Sequence, residues 1–365
     1  MAESVLITGG AGFIGSHLAD ELLGAGCSVR VLDSLVEQVH GTAERPDYLN
    51  ADVELIPGDM RNPDVVRGAL EGIDAVFHLA ARVGVGQSMY EPAEYVGVNA
   101  LGTGVLLEAL LAHPVRKLVV ASSMSVYGEG AYEPVAAAER TPEQLERSEW
   151  EPRGPGGEQL KPVPTPETKR PSLASIYALT KYDQERMTLL FGSAYEVPAV
   201  ALRFFNVYGP RQALSNPYTG VLAIFAARLL NDRAPVVYED GGQRRDFVHV
   251  RDVARACRLA LERDGGDGRA VNVGSGRSAS VLEIAAELAR AIGKEIEPEV
   301  AGSFRTGDIR HCFADVSVAR ELLGFEVEMQ LEEGISELAA WLETQETPDR
   351  FDQAAAELAE KGLTR

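Results

Sequence analysis

The run LITGGAGFIGSHLAD, residues 6–20, sets four glycines between a short apolar segment and the opening of a helical pattern. A chain that carries so little side chain at the end of a strand must turn sharply there and lie close to something. Gly10, Gly12 and Gly15 satisfy G-x-G-x-x-G, and Gly9, Gly12 and Gly15 satisfy the related G-x-x-G-x-x-G. In such a strand–turn–helix the first glycines permit the turn. Gly12 lets backbone N–H groups approach an anion, and Gly15 lets the helix pack on the strand. The rest of the first 205 residues agrees with this start. Apolar runs at 4–8, 28–33, 53–57, 75–79, 118–122 and 200–204 alternate with helical patterns at 14–25, 63–70, 99–111 and 175–191. Strands rich in Val, Ile and Leu, each followed by a helix, imply a parallel sheet covered on both faces. The expected fold is therefore α/β, a doubly wound, Rossmann-type parallel sheet.

Residues 206–345 mix helical patterns at 218–230, 250–262 and 281–292 with short strands. They read as a smaller mixed α/β lobe built on the carboxyl ends of the strands, where open parallel sheets bind ligands. Residues 346–365 form a tail suited to a short amphipathic helix. Segment 131–171 breaks the pattern, holding eight of the nineteen prolines with little periodicity. Long unpatterned loops are uncommon and tend to be functional or disordered. It is expected to be a surface insertion or a flap over the substrate.

Asp33 ends the second apolar run, 18 residues after Gly15. A carboxylate there accepts hydrogen bonds from a ribose hydroxyl and repels a 2′-phosphate, so the turn reads as a site for NAD rather than NADP. Phe13 and Ile14 continue the turn into the helix. Asp59 and Met60 follow the third run, where an adenine ring could rest. Leu79, Ala80 and Ala81 follow the fourth and leave room for a dinucleotide. Asn99 opens a helix as a cofactor contact or, equally, as a local bridge.

In SIYALTKYDQE, Tyr177 and Lys181 stand four apart, on one face of a helix. A phenol titrates near about 10 and is a poor base unless a neighbouring cation favours its phenolate. Lys181 is expected to supply that charge and to reach the nicotinamide ribose. VVASSMSVYG ends another strand, and its Ser123 and Ser125 offer hydroxyls to a sugar oxygen, while Ser122 supports the cofactor site.

Composition excludes other classes. Thirty-five basic against fifty-five acidic residues give a net charge of −20, which repels nucleic acid and anionic lipid, so a phosphorylated ligand needs locally placed cations. The three cysteines, Cys27, Cys257 and Cys312, are far apart, with neither disulfide framework nor metal-ligand spacing. No basic-then-apolar leader opens the chain, and no apolar run of about 18 residues stands out for a membrane. A cytoplasmic location is expected.

Together these motifs, with RFFNVYGPRQ, GGQRRDFVHVRDVA, NVGSG and GDIRHCFAD, resemble the extended short-chain dehydrogenase/reductase family, and within it the NAD-dependent nucleotide-sugar epimerases and dehydratases. The resemblance runs from residue 4 to about 345. It implies that Asn206, Arg245 and Arg310 contact the substrate's diphosphate, and that Cys312 stands at the position controlling sugar size. It also implies an opening step in which Tyr177 takes a hydroxyl proton while hydride leaves carbon 4 for NAD, giving a 4-keto sugar. Family dehydratases carry Asp-Glu before VYG; here Met124-Ser125 stands there. The resemblance therefore implies 4-epimerisation of a dTDP- or UDP-sugar. PETKRPSLASIYAL and the insertion are most similar to dTDP-L-rhamnose 4-epimerase-type enzymes, acting between dTDP-L-rhamnose and dTDP-6-deoxy-L-talose. UDP-glucose or UDP-N-acetylglucosamine 4-epimerase is the alternative, and a catalytically silent scaffold is the alternative of another class. Helices at 99–111 and 175–191 correspond to a homodimer interface in relatives.

Overall fold

The structure is a computed structural model that describes residues 3–41, 43–214, 220–305, 308–345, 349 and 351–364. Seven strands form the central sheet: β1 (Ser4–Thr8), β2 (Ser28–Asp33), β3 (Glu54–Pro57), β4 (Ala75–His78), β5 (Lys117–Ser123), β6 (Ala199–Phe204) and β7 (Arg269–Val273). Their spatial order is β7-β6-β5-β4-β1-β2-β3, and every pairing is parallel. Ile7, Val31 and Phe77, side by side in the register, face one core while Leu6, Leu32 and Val76 face the other, so these strands are apolar on both faces. The chain winds outward from β1 to β3, then returns to β4 on the other side of β1. That reversal splays the loops apart and opens a crevice at the strands' carboxyl ends.

Helices cover both faces. On one, α1 (Phe13–Gly24) packs against the later helix Val250–Glu262, burying Leu18, Leu22, Val253 and Cys257 against β1 and β2. On the other lie α2 (Pro63–Ala69), α3 (Gly102–Ala112) and α4 (Ile176–Tyr195), which bury Val66, Leu106, Leu110 and Leu189. Each such aliphatic side chain, fully buried, contributes about 1.5–3 kcal/mol. A second core joins α5 (Val221–Leu230), α6 (Val281–Ala291) and α7 (Leu331–Leu342) through Phe225, Ile284, Leu288 and Leu338.

Several expectations change. The sheet does not end near residue 205: β7 pairs Val271 with Leu202 and closes the open edge of β6, and Val250–Glu262 covers the same sheet. The helix expected over 99–111 is preceded by a π-helical turn, Val96–Leu101, which continues into α3. The stretch Pro92–Ala112 is in fact long and apolar enough to cross a membrane by length and composition; here 44% of its apolar window is buried, against α4 among others. The helix expected over 218–230 begins at Val221, and Tyr218 lies outside the described residues.

The insertion is ordered by pairing rather than by periodicity. Ala131–Glu133 and Lys161–Val163 form an antiparallel pair around the short helix Pro142–Glu146, which Thr141 caps. The tail holds a helix, α8 (Phe351–Glu360), whose Leu358 sits against Gly86. Asp352 pairs with Arg228 at the end of α5.

Candidate active site

Three glycines of the β1–α1 turn are required for three different reasons. Gly9 has φ +70°, and a Cβ there would stand 2.8 Å from the Ala80 backbone. A Cβ on Gly15 would stand 2.5 Å from Gly10 Cα and Gly9 O, so helix and strand could not close. A Cβ on Gly12 would meet only Gly9 O, at 3.4 Å, and would otherwise project into open space. Gly12 is therefore kept bare for something that is not part of the chain. Asp33 fixes the turn from β2: its carboxylate accepts from Ala11 N at 3.0 Å and Leu35 N at 2.9 Å.

A cavity of about 580 Å³ runs along the carboxyl ends of the strands, within the range of small-molecule sites. Of the residues marked out by sequence, Gly9, Gly12, Phe13, Ile14, Gly15, Asp33, Asp59, Met60, Leu79, Ala80, Ala81, Ser122, Ser123, Tyr177, Lys181 and Asn206 line it. The bare backbone at Gly12, the carboxylate at the end of β2 and the small side chains after β4 fit a dinucleotide. Asp59 is already engaged: Arg61 bridges to it at 2.6 Å and holds its carboxyl below the usual range.

The catalytic pair sits on the first turns of α4. Ser175 caps this helix by accepting from Ala178 N at 3.0 Å, and Ser88 Oγ accepts from Tyr177 N at 3.0 Å. Two N–H groups that a helix start leaves unpaired are thereby satisfied, and the Tyr177 backbone is pinned. Tyr95 packs edge-on against the Tyr177 ring at 6.4 Å between centroids. Burial raises the phenol's pKa, and the hydrogen bond with Ser123 pulls it back. Ser125 stands behind: its hydroxyl donates to Ser123 Oγ at 2.9 Å, completing a hydroxyl chain toward Tyr177. Ser122 instead donates to Glu185 at 2.6 Å, and Glu185 forms a buried pair with Arg203.

Lys181 departs from expectation. Its Nζ donates to Gln184 Oε1 at 2.6 Å, and the group that lowers the phenol's pKa here is Ser123. Burial lowers the lysine to about 7, against the opposing attraction of Glu185.

Five of the sequence candidates do not line the cavity. Asn99 takes the bridging role: its side chain accepts from Arg82 N and donates to Arg82 O and Thr180 Oγ1, tying the loop after β4 to α4. Ser125 acts only through Ser123. Arg245 donates to the carbonyls of Arg244, Arg310 and Ile309. Arg310 is 2% exposed and ion-paired with Glu151 of the insertion, Glu239 and Asp240. Cys312 is buried beneath the insertion, with Thr165 Oγ1 at 3.9 Å. In this arrangement the two arginines answer groups of the protein itself. Sequence reasoning also passed over Gln212 and Gln184. The Oε1 of Gln212 and the Oδ1 of Asn206 are buried without a partner, and both residues line the cavity, so each can accept from a ligand. Gln212 stood in the quoted GPRQ, but nothing in its spacing announced it.

Residues 5–274 match the model of the NAD dependent epimerase/dehydratase family. The dTDP-L-rhamnose 4-epimerase of Burkholderia thailandensis is 36% identical, covering 93% of this chain and 95% of that protein. The UDP-glucose 4-epimerase of Mycolicibacterium smegmatis is also 36% identical, covering 91% and 96%. Among solved structures, UDP-glucose 4-epimerase of Thermotoga maritima with UDP-glucose superposes with a TM-score of 0.78 at 32% identity, covering 93% of this chain and 98% of that one. The Thermus thermophilus UDP-glucose 4-epimerase complex with NAD gives 0.76 at 32%, covering 94% and 100%. Sequence, sheet and crevice agree, and the chain belongs to the NAD-dependent epimerase/dehydratase family.

Proposed function

We propose that this protein is an NAD-dependent nucleoside-diphosphate-sugar 4-epimerase whose substrate pair is dTDP-L-rhamnose and dTDP-6-deoxy-L-talose. The observation that carries the reaction type is the makeup of the catalytic end. Tyr177, hydrogen-bonded to Ser123, is the group placed to exchange a proton with a sugar hydroxyl, and Met124 and Ser125 offer no carboxylate. Glu185 is taken up by Ser122 and Arg203, and Asp33, which lines the cavity, belongs to β2, three strand spacings from β5. At about 4.8 Å per strand that is roughly 14 Å, too far to remove a proton from the same sugar carbon as Tyr177.

NAD, when bound, supplies a hydride acceptor and donor at carbon 4. Tyr177 takes the proton of the 4-hydroxyl and later returns it. Ser123 steadies that oxygen, and Ser125 orients Ser123. With no second acid–base pair for the carbon chain among the described residues there, a ketone formed at carbon 4 has one productive route, which is to take hydride back on its other face. Asn206 and Gln212 offer unpaired carbonyl oxygens to hydroxyl or N–H donors of the substrate. The insertion and the PETKRPSLASIYAL stretch support the deoxysugar; UDP-glucose and UDP-N-acetylglucosamine are the competing substrates.

The same proposal places the protein in the cytoplasm as a homodimer. Its three thiols are free, and apolar Val96, Leu101 and Leu111 on the helical stretch before and within α3, with Leu179 and Leu190 on α4, lie exposed. Incubating purified protein with dTDP-, UDP- and GDP-sugars, and following carbon-4 configuration by NMR, tests the reading. Interconversion of dTDP-L-rhamnose without net NADH supports it; NADH accumulation, loss of water or no turnover of any sugar nucleotide overturns it. Sedimentation velocity checks the dimer.

A further inference from the structure

Lys181 is held by a polar chain that the reaction as written does not use. Gln184 Oε1 accepts from Lys181 Nζ at 2.6 Å. The other end of the amide, Nε2, lies 3.2 Å from Ala80 O, 3.0 Å from Thr103 Oγ1 and 3.1 Å from His78 Nε2. A carbonyl oxygen can only accept, so Ala80 fixes which end of the amide is NH2. Thr103 spends its own proton on Asn99 O at 2.6 Å and is therefore free to accept from Gln184. Burial drives the His78 pKa down to about 3, leaving it neutral. Because Thr103 has no proton left for it, His78 Nε2 carries the ring proton and donates to Thr103 Oγ1 at 2.8 Å, while Nδ1 accepts from Thr8 Oγ1 at 2.8 Å; the Gln184 protons go to Ala80 O and Thr103 Oγ1. Thr8 also accepts from Ala80 N and immediately precedes Gly9. Gln184, His78, Thr103 and Lys181 are all buried. The amide thus has one permitted orientation, with its oxygen toward the lysine, set by groups on β1, β4 and α3.

We propose that Gln184 is a positioning residue that aims Lys181 and keeps it protonated beside Tyr177. A buried ammonium without an acceptor loses its proton, and a neutral amine neither supports a phenolate nor holds its direction. An amide oxygen provides the acceptor without the full charge of a carboxylate, which would bind the lysine too firmly to release it toward the cavity. The other groups facing the lysine are few. Tyr177 and Glu185 share its helix, with Glu185 engaged by Arg203 of β6. His78 comes from β4, and Tyr95 packs behind Tyr177. None of these occupies the place of the Gln184 carbonyl.

The inference rests on the epimerase reading for its activity readout, so two measurements are paired. The first is amine-specific labelling of Lys181 across pH, read by mass spectrometry, in NAD-free and NAD-loaded protein. The second is the pH profile of kcat for sugar interconversion. A hydrogen bond to a charged group changes its equilibrium by about tenfold or more. In Q184M the midpoint of Lys181 labelling and the alkaline limb of kcat should move down by about one pH unit, and NAD should bind about tenfold more weakly. In Q184E both midpoints should move up by about one unit. A structural role alone would weaken both variants in parallel without displacing the titrations in opposite directions. Unmoved midpoints, or movement the same way in both variants, overturn the proposal; if Q184M does not fold, the upward shift in Q184E decides. Absence of turnover in the wild type would defeat the epimerase reading while leaving the labelling result to judge Gln184.

Discussion

The two ends of the cavity are built on different principles. At the cofactor end the contacts come from backbone and from strand termini: Gly9, Gly12 and Gly15 in one turn, Asp33 at the end of β2, Ala80 and Ala81 after β4. These groups face the cavity because the sheet leaves them nowhere else to go. Of the side chains assigned to the substrate, Asn206 lines the cavity, whereas Arg245 and Arg310 lie off it and are engaged elsewhere. Arg310 answers Glu151, Glu239 and Asp240, and Arg245 answers three carbonyls. A flexible cation in a chain of net charge −20 finds a protein carboxylate readily, whereas a bare glycine turn has no internal partner to accept. Sites made of backbone are preformed; sites made of long side chains are decided by neighbours.

Substitutions can break this contrast, and the largest effect belongs to the phenol. Tyr177→Phe should lower kcat by about 10²–10⁴-fold, the range for loss of a positioned proton-transfer group, with circular dichroism and NAD retention unchanged. An active Tyr177→Phe would show that another group exchanges the proton.

The glycine turn separates packing from binding. Gly15→Ala forces a Cβ to 2.5 Å from backbone and should cost about 1–3 kcal/mol, measured by urea unfolding. Gly12→Val meets nothing closer than 3.4 Å at its Cβ, so it should unfold near the wild-type midpoint while NAD no longer co-purifies. Equal destabilisation by both would show that Gly12 also serves the fold.

A smaller change is expected at Asp33. Its carboxylate already accepts from Ala11 N and Leu35 N, so Asp33→Asn should retain NAD while narrowing its preference over NADP about tenfold, a loss of roughly one charge-assisted hydrogen bond and one repulsion. Cofactor titration of the stripped protein measures it.

The smallest effect lies at the insertion. His311 and Arg310 hold the Glu151 carboxyl at about 2, against its burial. Because the folded value lies below the unfolded one, the pair stabilises fully above about pH 4.5, and that contribution is lost as pH falls toward 2. Glu151→Gln should remove this part of the acid sensitivity. Since the Glu151 side chain is 60% exposed, the change should stay under about 1 kcal/mol. Faster proteolysis within 131–171 would accompany it, and an unchanged cleavage rate would mean that the hairpin, not the ion pair, orders the segment.

Much of the cofactor end was legible because its signals are local. A strand of Val, Leu and Ile ending in TGGAGFIG can do little but turn and start a helix, and β1 and β2 run over the expected residues. β7 was missed because its partner β6 lies 69 residues earlier: Arg269 pairs with Val200, and no local pattern records that a sheet edge awaits a strand. The role of Gln184 was hidden for the same reason, and so was the choice between the two roles expected of Asn99. Polar residues on helices read as solvated or catalytic, and only the fold reveals that Arg82, Ala80 and His78 await them in the interior.

By itself the sequence determined the doubly wound sheet, the bare turn and the Tyr177–Lys181 pair, since each depends on spacing within one strand–turn–helix unit. The tertiary structure alone decided which way Lys181 points, which carboxylates claim Arg310, and how the proline-rich insertion is tied down. Those outcomes depend on which groups meet across the fold, where a buried amine or guanidinium must find a partner and takes the one that packing supplies.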